Sequence, residues 1–326
     1  MRNWLSAWKM NLHLDRDAFE TLLLDVQERT GVRADILEKD YYLTLMLKEL
    51  AEKQSDLHAY FKGGTALYKA LGSIRRFSED IDLTVEIHDG ISKTQAAKRL
   101  KSSAKGYSCL ERSDEECEDR RGSITAVYKY EPIIEVDESD SLQRFGRVKI
   151  ESTSFTVSEP MDLISIGPII YGLASEEQKE IVGNTFHVIP FEIGTIKLER
   201  IFVDKLFASE FYFSRKMFFD VAKHVYDITV LFENEQIKKM LGDKTAFEKM
   251  IQYKRREELA RAGGVPADVP MHKFSYIKEL FNSTDFLSGF DHMQSIYVFD
   301  ERDKISVSHL KETIVAIQDI LIEYDL

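Results

Sequence analysis

The chain has 326 residues, 44% hydrophobic and 31% charged, with 44 Lys and Arg against 56 Asp and Glu for a net charge of −12. That length holds one large or two ordinary domains, and the acidic balance argues against a general nucleic-acid coat, since phosphate backbones call for neutralising cations; a local basic groove is still allowed. No apolar run approaches the ~20 residues of a membrane span. The start, Met1-Arg2-Asn3-Trp4-Leu5, lacks a signal peptide's apolar core, and Cys109 and Cys117 make neither a metal-ligand pattern nor a disulfide framework. The expectation is a soluble protein of a reducing cytoplasm.

Residues 14–30 read as a first helix, capped by Asp15 or Asp17, with Phe19, Leu22, Leu23 and Val26 at helical spacing. Asp35 caps a second over Ile36–Lys53, with Leu37, Tyr41, Leu45, Leu47 and Leu50 apolar; Glu38-Lys39-Asp40 on it reads as a solvated face. Tyr60-Phe61 ends a short strand. Gly63-Gly64 then permits positive φ and close backbone approach, and Thr65 is a plausible N-cap for Ala66–Leu71. Free N–H groups at such a helix start bind anions. The P-loop pattern is absent.

In Asp80-Ile81-Asp82-Leu83-Thr84-Val85 apolar and polar positions alternate with strand period. Asp80 and Asp82 therefore share one face. Carboxylates that close repel unless a proton or cation lies between them. Such hard oxygen ligands suit Mg²⁺ or Mn²⁺, with substrate phosphates completing the shell.

Further along, Ile91–Ser102 reads as a basic helix and 109–121 as a charged, loop-like or mobile segment. Ser123–Tyr130 is a strand, Ile133–Val136 a second candidate, and Val148-Lys149-Ile150-Glu151 opens another that runs to Val157. On it Glu151 shares a face with Lys149, and a surface pair between them is worth well under ~1 kcal/mol. Met161–Leu173 is a connection, Phe186–Ile189 is strand-like, and Pro190 marks a boundary. From about residue 196 the chain turns helical. In Ile196–Phe213, Lys205 lies among apolar neighbours and either snorkels outward or is held inward. In Lys216–Phe232, Asp227 has Lys223 and His224 one turn before it, and Lys223–Asp227 is a weak surface pair in that order. His224 reads as structural or exposed before it reads as catalytic. Ala246–Ala262 carries Lys254-Arg255-Arg256 beside Glu257 and Glu258, by default a solvated face. Tyr276–Phe281 is a short helix, and Ser308 caps a last one to Tyr324.

The ordered set of strand, Gly-Gly-Thr, helix and Asp-x-Asp strand resembles the nucleotidyltransferase superfamily. The variant is similar to the AbiEii/AbiGii toxins of abortive-infection and toxin–antitoxin pairs. The likeness is carried by Phe61-Lys62-Gly63-Gly64-Thr65-Ala66-Leu67-Tyr68-Lys69 and Arg76-Phe77-Ser78-Glu79-Asp80-Ile81-Asp82-Leu83. Glu38-Lys39-Asp40-Tyr41-Tyr42, Phe202-Val203-Asp204-Lys205-Leu206-Phe207-Ala208 and Tyr226-Asp227-Ile228 add to it. It covers most of residues 36–235 and fades beyond.

The resemblance implies an α+β fold: a nucleotidyltransferase-type mixed sheet flanked by helices, with a C-terminal helical domain. The expected division is 1–58 as N-terminal helices on the catalytic core, 59–195 as the core and 196–326 as the helical domain. It implies Asp80, Asp82, Lys205 and Asp227 as catalytic residues, with Gly63, Gly64, Thr65, Lys69 and Ser78 on the nucleotide. Asp80 and Asp82 would hold Mg²⁺ or Mn²⁺, with Glu151 the candidate third acid and Glu135 and Asp137 its competitors. The implied substrate is an NTP, the acceptor tRNA or another RNA, the leaving group pyrophosphate, and the partner a cognate antitoxin. Two alternatives stand: a catalytically silent nucleotide-binding or scaffold module, and nucleotide transfer to a protein hydroxyl.

Overall fold

The alternation around Asp80 and Asp82 forms one strand of a seven-stranded mixed sheet in the computed structural model, which describes residues 10–72, 75–87, 91–135, 145–156, 158–261, 263–266 and 268–326. The chain divides into two units. The first holds Met1–Gly72, Glu79–Ser154 and Asp162–Thr195; the second holds Ser73–Ser78, Phe155–Met161 and Ile196–Leu326. The fold is α+β.

In the first unit, α1 (Arg16–Thr30) and α2 (Ala34–Leu57) lead into β1 (Ala59–Lys62), α3 (Gly63–Leu71), β2 (Asp80–Val85) and α4 (Lys93–Lys105). There follow β3 (Glu111–Arg120), β4 (Ser123–Lys129), β5 (Arg147–Thr153), β6 (Met161–Ile166), α5 (Ile169–Leu173), α6 (Glu176–Phe186) and β7 (Phe191–Ile196). The strand order is β3-β4-β5-β2-β1-β7-β6. β2 runs antiparallel to β1 and parallel to β5, so two of its neighbours come from distant parts of the chain. Ile81 pairs with Ile150 and Leu83 with Ser152 on a face where all four are buried; α2 and α4 pack against these strands.

Three expectations are corrected here. The segment 109–121 is no loop: Glu111–Arg120 is the edge strand β3, antiparallel to β4 with a bulge between Ser113 and Glu118. Its side chains are mostly exposed, so no apolar alternation marks it, and backbone pairing alone makes it a strand. Phe186–Ile189 is not a strand but the end of α6 and the turn after it; the strand begins past Pro190, at Phe191. Residues 133–135 form no strand, and Val136 and Asp137 lie outside the described residues.

The charged run on α2 is not a solvated face either. Glu38, Lys39 and Asp40 are all buried. Glu38 accepts the backbone N–H groups of Ile133 and Ile134 at 2.7 and 3.1 Å, Lys39 donates to the Arg147 carbonyl, and Asp40 accepts the Ile169 N–H at 2.7 Å. One turn of α2 thus ties down three remote segments, including the first residue of β5.

The second unit is helical: α7 (Leu198–Phe213), α8 (Phe218–Phe232), α9 (Glu235–Leu241), α10 (Lys244–Ala260), α11 (Ser275–Glu279), α12 (Thr284–Tyr297) and α13 (Val307–Tyr324). α7 lies along α8, α12 and α13 pack on α8, and α10 packs on α7. The last helix is capped by Ser306, whose hydroxyl accepts the His309 N–H, and not by Ser308. Among the described residues no helix is long and apolar enough to cross a membrane.

Candidate active site

Strand register assembles the first half of the site. Across β1, β2 and β5, Lys62 pairs with Asp82 and Asp82 with Glu151; one step along, Asp80 pairs with Lys149. Paired residues share a face, so Lys62, Asp80, Asp82, Lys149 and Glu151 stand together, opposite the buried Ile81, Leu83 and Ile150. Lys149 reaches between two acids: its Nζ is 2.9 Å from Asp80 Oδ2 and 2.7 Å from Glu151 Oε1. Burial works against the charge on Lys149, but the Asp80 and Glu151 carboxylates outweigh it and raise its pKa above the ordinary lysine value.

The glycine turn fits against this row. Gly63 has φ +81°, in the left-handed region, and a Cβ built on it would meet Asp82 Oδ2 at 2.1 Å. Only glycine leaves room for the Asp82 carboxylate over the start of α3. The positive φ also lets the chain enter the helix at once. So α3 starts at Gly63 with Lys62 as its N-cap residue, three residues before the expected Thr65 cap. Thr65 is buried, and its hydroxyl donates to the Asp80 carbonyl at 2.6 Å. It therefore joins α3 to β2.

Lys69 is likewise turned inward. Its ammonium sits 2.7 Å from Asp40 Oδ1 and donates to Thr44 Oγ1 and the Gly167 carbonyl, both at 2.8 Å. That commits its three donors inside the first unit, and burial lowers its pKa against the pull of Asp40. Burial also lowers Lys39, to about 8, despite the nearby Glu79 and Asp80 charges.

The second unit holds a separate ionic cluster. Asp227 is fully buried on α8. Arg76 grips it with two parallel bonds, Nε to Oδ1 and Nη2 to Oδ2, each 2.7 Å, and Lys205 Nζ lies 2.8 Å from Oδ2. Lys205 is thus held inward, and Lys223 pairs with Asp220 at 2.8 Å, leaving the expected Lys223–Asp227 pair unmade. Burial alone would raise the Asp227 carboxyl, but Arg76 and Lys205 outweigh it and hold it far below the usual range. His224 stacks on Tyr212 at 5.2 Å between ring centroids; burial and the Lys205 charge keep it neutral. Ser78 is half-buried in the same unit as Arg76.

The basic run on α10 is also committed. Lys254 is buried beside Glu257 and Glu258 at 3.1 and 3.0 Å, and the Arg255 guanidinium lies 4.9 Å from the Phe207 ring centroid. Single-sequence reasoning missed three cations. Arg76 stands four residues before Asp80 but meets a partner 151 residues away. Lys149 and Lys62 are identified only once strand register is known, though their places beside the acidic positions of alternating strands were a usable signal. Glu135 is exposed, Asp137 lies outside the described residues, and β5 brings Glu151 beside Asp82.

Residues 45–306 match the family described as nucleotidyl transferase AbiEii toxin, type IV TA system. The chain belongs to the AbiEii family. It is therefore a nucleotidyltransferase toxin by family, which implies an NTP substrate and a cognate antitoxin. The AbiEii match runs well past residue 235, through α12, so the family likeness does not fade where the recognisable motifs end. Glu38-Lys39-Asp40-Tyr41-Tyr42 lies just before it. No curated protein matches the chain.

Proposed function

We propose that this AbiEii chain transfers a nucleotide from an NTP to an RNA hydroxyl, with the 3′ end of tRNA as the acceptor. The acceptor oxygen attacks the α-phosphorus and forms a new P–O bond. The bond to the bridging α–β oxygen breaks, pyrophosphate leaves, and the hydroxyl proton passes to solvent. The observation that carries this reading is the parallel pairing of β2 with β5, which lines up Asp80, Asp82 and Glu151 on one face beside the glycine turn of α3.

The donor chemistry of this face supports a divalent ion. Asp80 and Glu151 already converge on one cation, the Lys149 ammonium, and their oxygens are of the hard type Mg²⁺ and Mn²⁺ take. Among the described residues no three His, Cys, Asp or Glu side chains are placed to hold a metal ion together, so the carboxylates would have to turn toward one. Asp80, Asp82 and Glu151 are the residues that would hold the ion, with substrate phosphates supplying the other ligands. When bound, the ion neutralises charge on the phosphates and the leaving group.

The chain's own groups supply the rest. Backbone N–H groups at Gly63 and Gly64, at the start of α3, meet phosphate oxygens. Lys62, opposite Asp82, adds a positive charge to the same face. Lys205, which the resemblance marks as functional, is the residue to test for offsetting charge that develops during transfer. Asp227 positions Lys205; doubly bonded to Arg76 and held ionised, it is a poor base. An RNA acceptor is favoured by α4, where Lys93, Lys98, Arg99, Lys101 and Lys105 occur with no acid in a chain of net charge −12.

The test is incubation of purified protein with each labelled NTP, Mg²⁺ and total tRNA or cell lysate. Labelled tRNA is the expected product. Asp80→Ala and Lys205→Ala should abolish labelling and toxicity while circular dichroism stays that of the wild type. A labelled protein would move the acceptor to a protein hydroxyl. Full activity in either folded variant would overturn the assignment.

A further inference from the structure

The acids of the first unit carry their own cation. Lys149 projects from β5 beside Asp80, its register partner on β2, and two residues before Glu151 on the same face. Its position is rigid. β5 is paired on both sides, by β2 and β4, and its first residue is tied through the Arg147 carbonyl to Lys39 of α2. The ammonium lies within bonding distance of one oxygen of each acid, on the face proposed to hold the divalent ion. A cation shared by two carboxylates removes their mutual repulsion. A second cation cannot enter the same seat without expelling the first.

We propose that Lys149 is a built-in competitor for the divalent cation at Asp80 and Glu151, so that metal enters well only together with a nucleotide whose phosphates receive the displaced ammonium. This rests on the metal-dependent reading above. Its consequence is ordered loading: free protein binds the ion weakly, and the NTP–metal complex binds as one. The three side chains are each about a third exposed (34%, 36% and 40% for Asp80, Lys149 and Glu151), so the ammonium leaves toward water without crossing a packed core.

The experiment measures Mn²⁺ binding to purified full-length protein by the loss of the free-ion electron spin resonance signal, with no nucleotide present. Removing a positive charge from beside the ion should tighten Mn²⁺ about tenfold or more in Lys149→Met, while Lys149→Arg, which keeps the charge, stays within about twofold of wild type. Adding a non-hydrolysable NTP should tighten Mn²⁺ on the wild type more than on Lys149→Met and so narrow the gap. Asp80→Asn separates the two layers of the argument. If Asp80→Asn weakens Mn²⁺ binding but Lys149→Met leaves it unchanged or weaker, the metal site stands and the competitor role is refuted. If none of these proteins binds Mn²⁺, with or without nucleotide, the metal-dependent reading falls and takes the competitor role with it.

Discussion

Two of the ionic clusters among the described residues are built on opposite terms. In the first unit Asp80, Lys149 and Glu151 stand on an open sheet face, each about a third exposed. In the second, Arg76, Asp227 and Lys205 are sealed, at 5%, 0% and 8% exposure. Water screens the open cluster, so its pairs contribute little to stability and can exchange partners. The sealed cluster has no such freedom. Each charge there relies on the others to offset its desolvation, and losing one strands the rest. The open cluster suits ligand exchange, and the closed one suits holding a lysine in a single position.

The sharpest way to break this contrast is Asp227→Ala. It leaves Arg76 and Lys205 buried without their carboxylate and should cost about 3–5 kcal/mol of unfolding free energy, measured by urea denaturation. By comparison Lys149→Met should change the same quantity by less than ~1 kcal/mol. Equal losses would erase the distinction between the clusters.

A smaller effect tests whether burial leaves a pH signature where it outweighs the groups that favour the charged form. Burial pushes Glu38 up to about 7, against the lowering pull of the Ile133 and Ile134 N–H groups. Between its ordinary pKa of 4.5 and 7 the folded protein therefore holds a proton that the unfolded chain has released. The associated stability is present below pH 4.5 and is lost as pH rises through 7. The loss is of order 3 kcal/mol. Glu38→Gln should flatten that part of a stability–pH curve, and an unchanged slope would assign it to other groups.

Smaller again is Gly63→Ala. A left-handed φ and a Cβ directed at the Asp82 carboxylate should cost about 1–2 kcal/mol in stability. The same Cβ must push Asp82 out of the open cluster. Transfer should therefore fall by more than the stability loss explains; wild-type rates would show that Asp82 need not sit where it does.

What could be read from the sequence follows from where each segment's energy comes from. β2 was legible because one of its faces is core, so apolar residues had to alternate with the aspartates. β3 was not: Glu111–Arg120 faces water on most sides and is a strand only because β4 lies beside it. Glu38-Lys39-Asp40 misled for a related reason. Three consecutive charges look solvated unless their partners are known, and those partners lie 95 to 129 residues away, on the segments around Ile133, Arg147 and Ile169. Asp80, Asp82 and the glycine pair were found as local patterns. Arg76 on Asp227 and Lys149 between two acids are facts of register and packing that adjacent residues do not encode.

The join between α3 and β2 bears on how this architecture can be recombined. Gly63 lies against the Asp82 carboxylate, Thr65 bonds to the Asp80 carbonyl, and Lys62 is the register partner of Asp82. The glycine turn and the aspartate strand therefore form a single structural cassette. A chimera that takes residues 59–71 from one homologue and 79–85 from another would mismatch three contacts at once, whereas a graft that carries both stretches keeps the phosphate turn and the acidic strand in step.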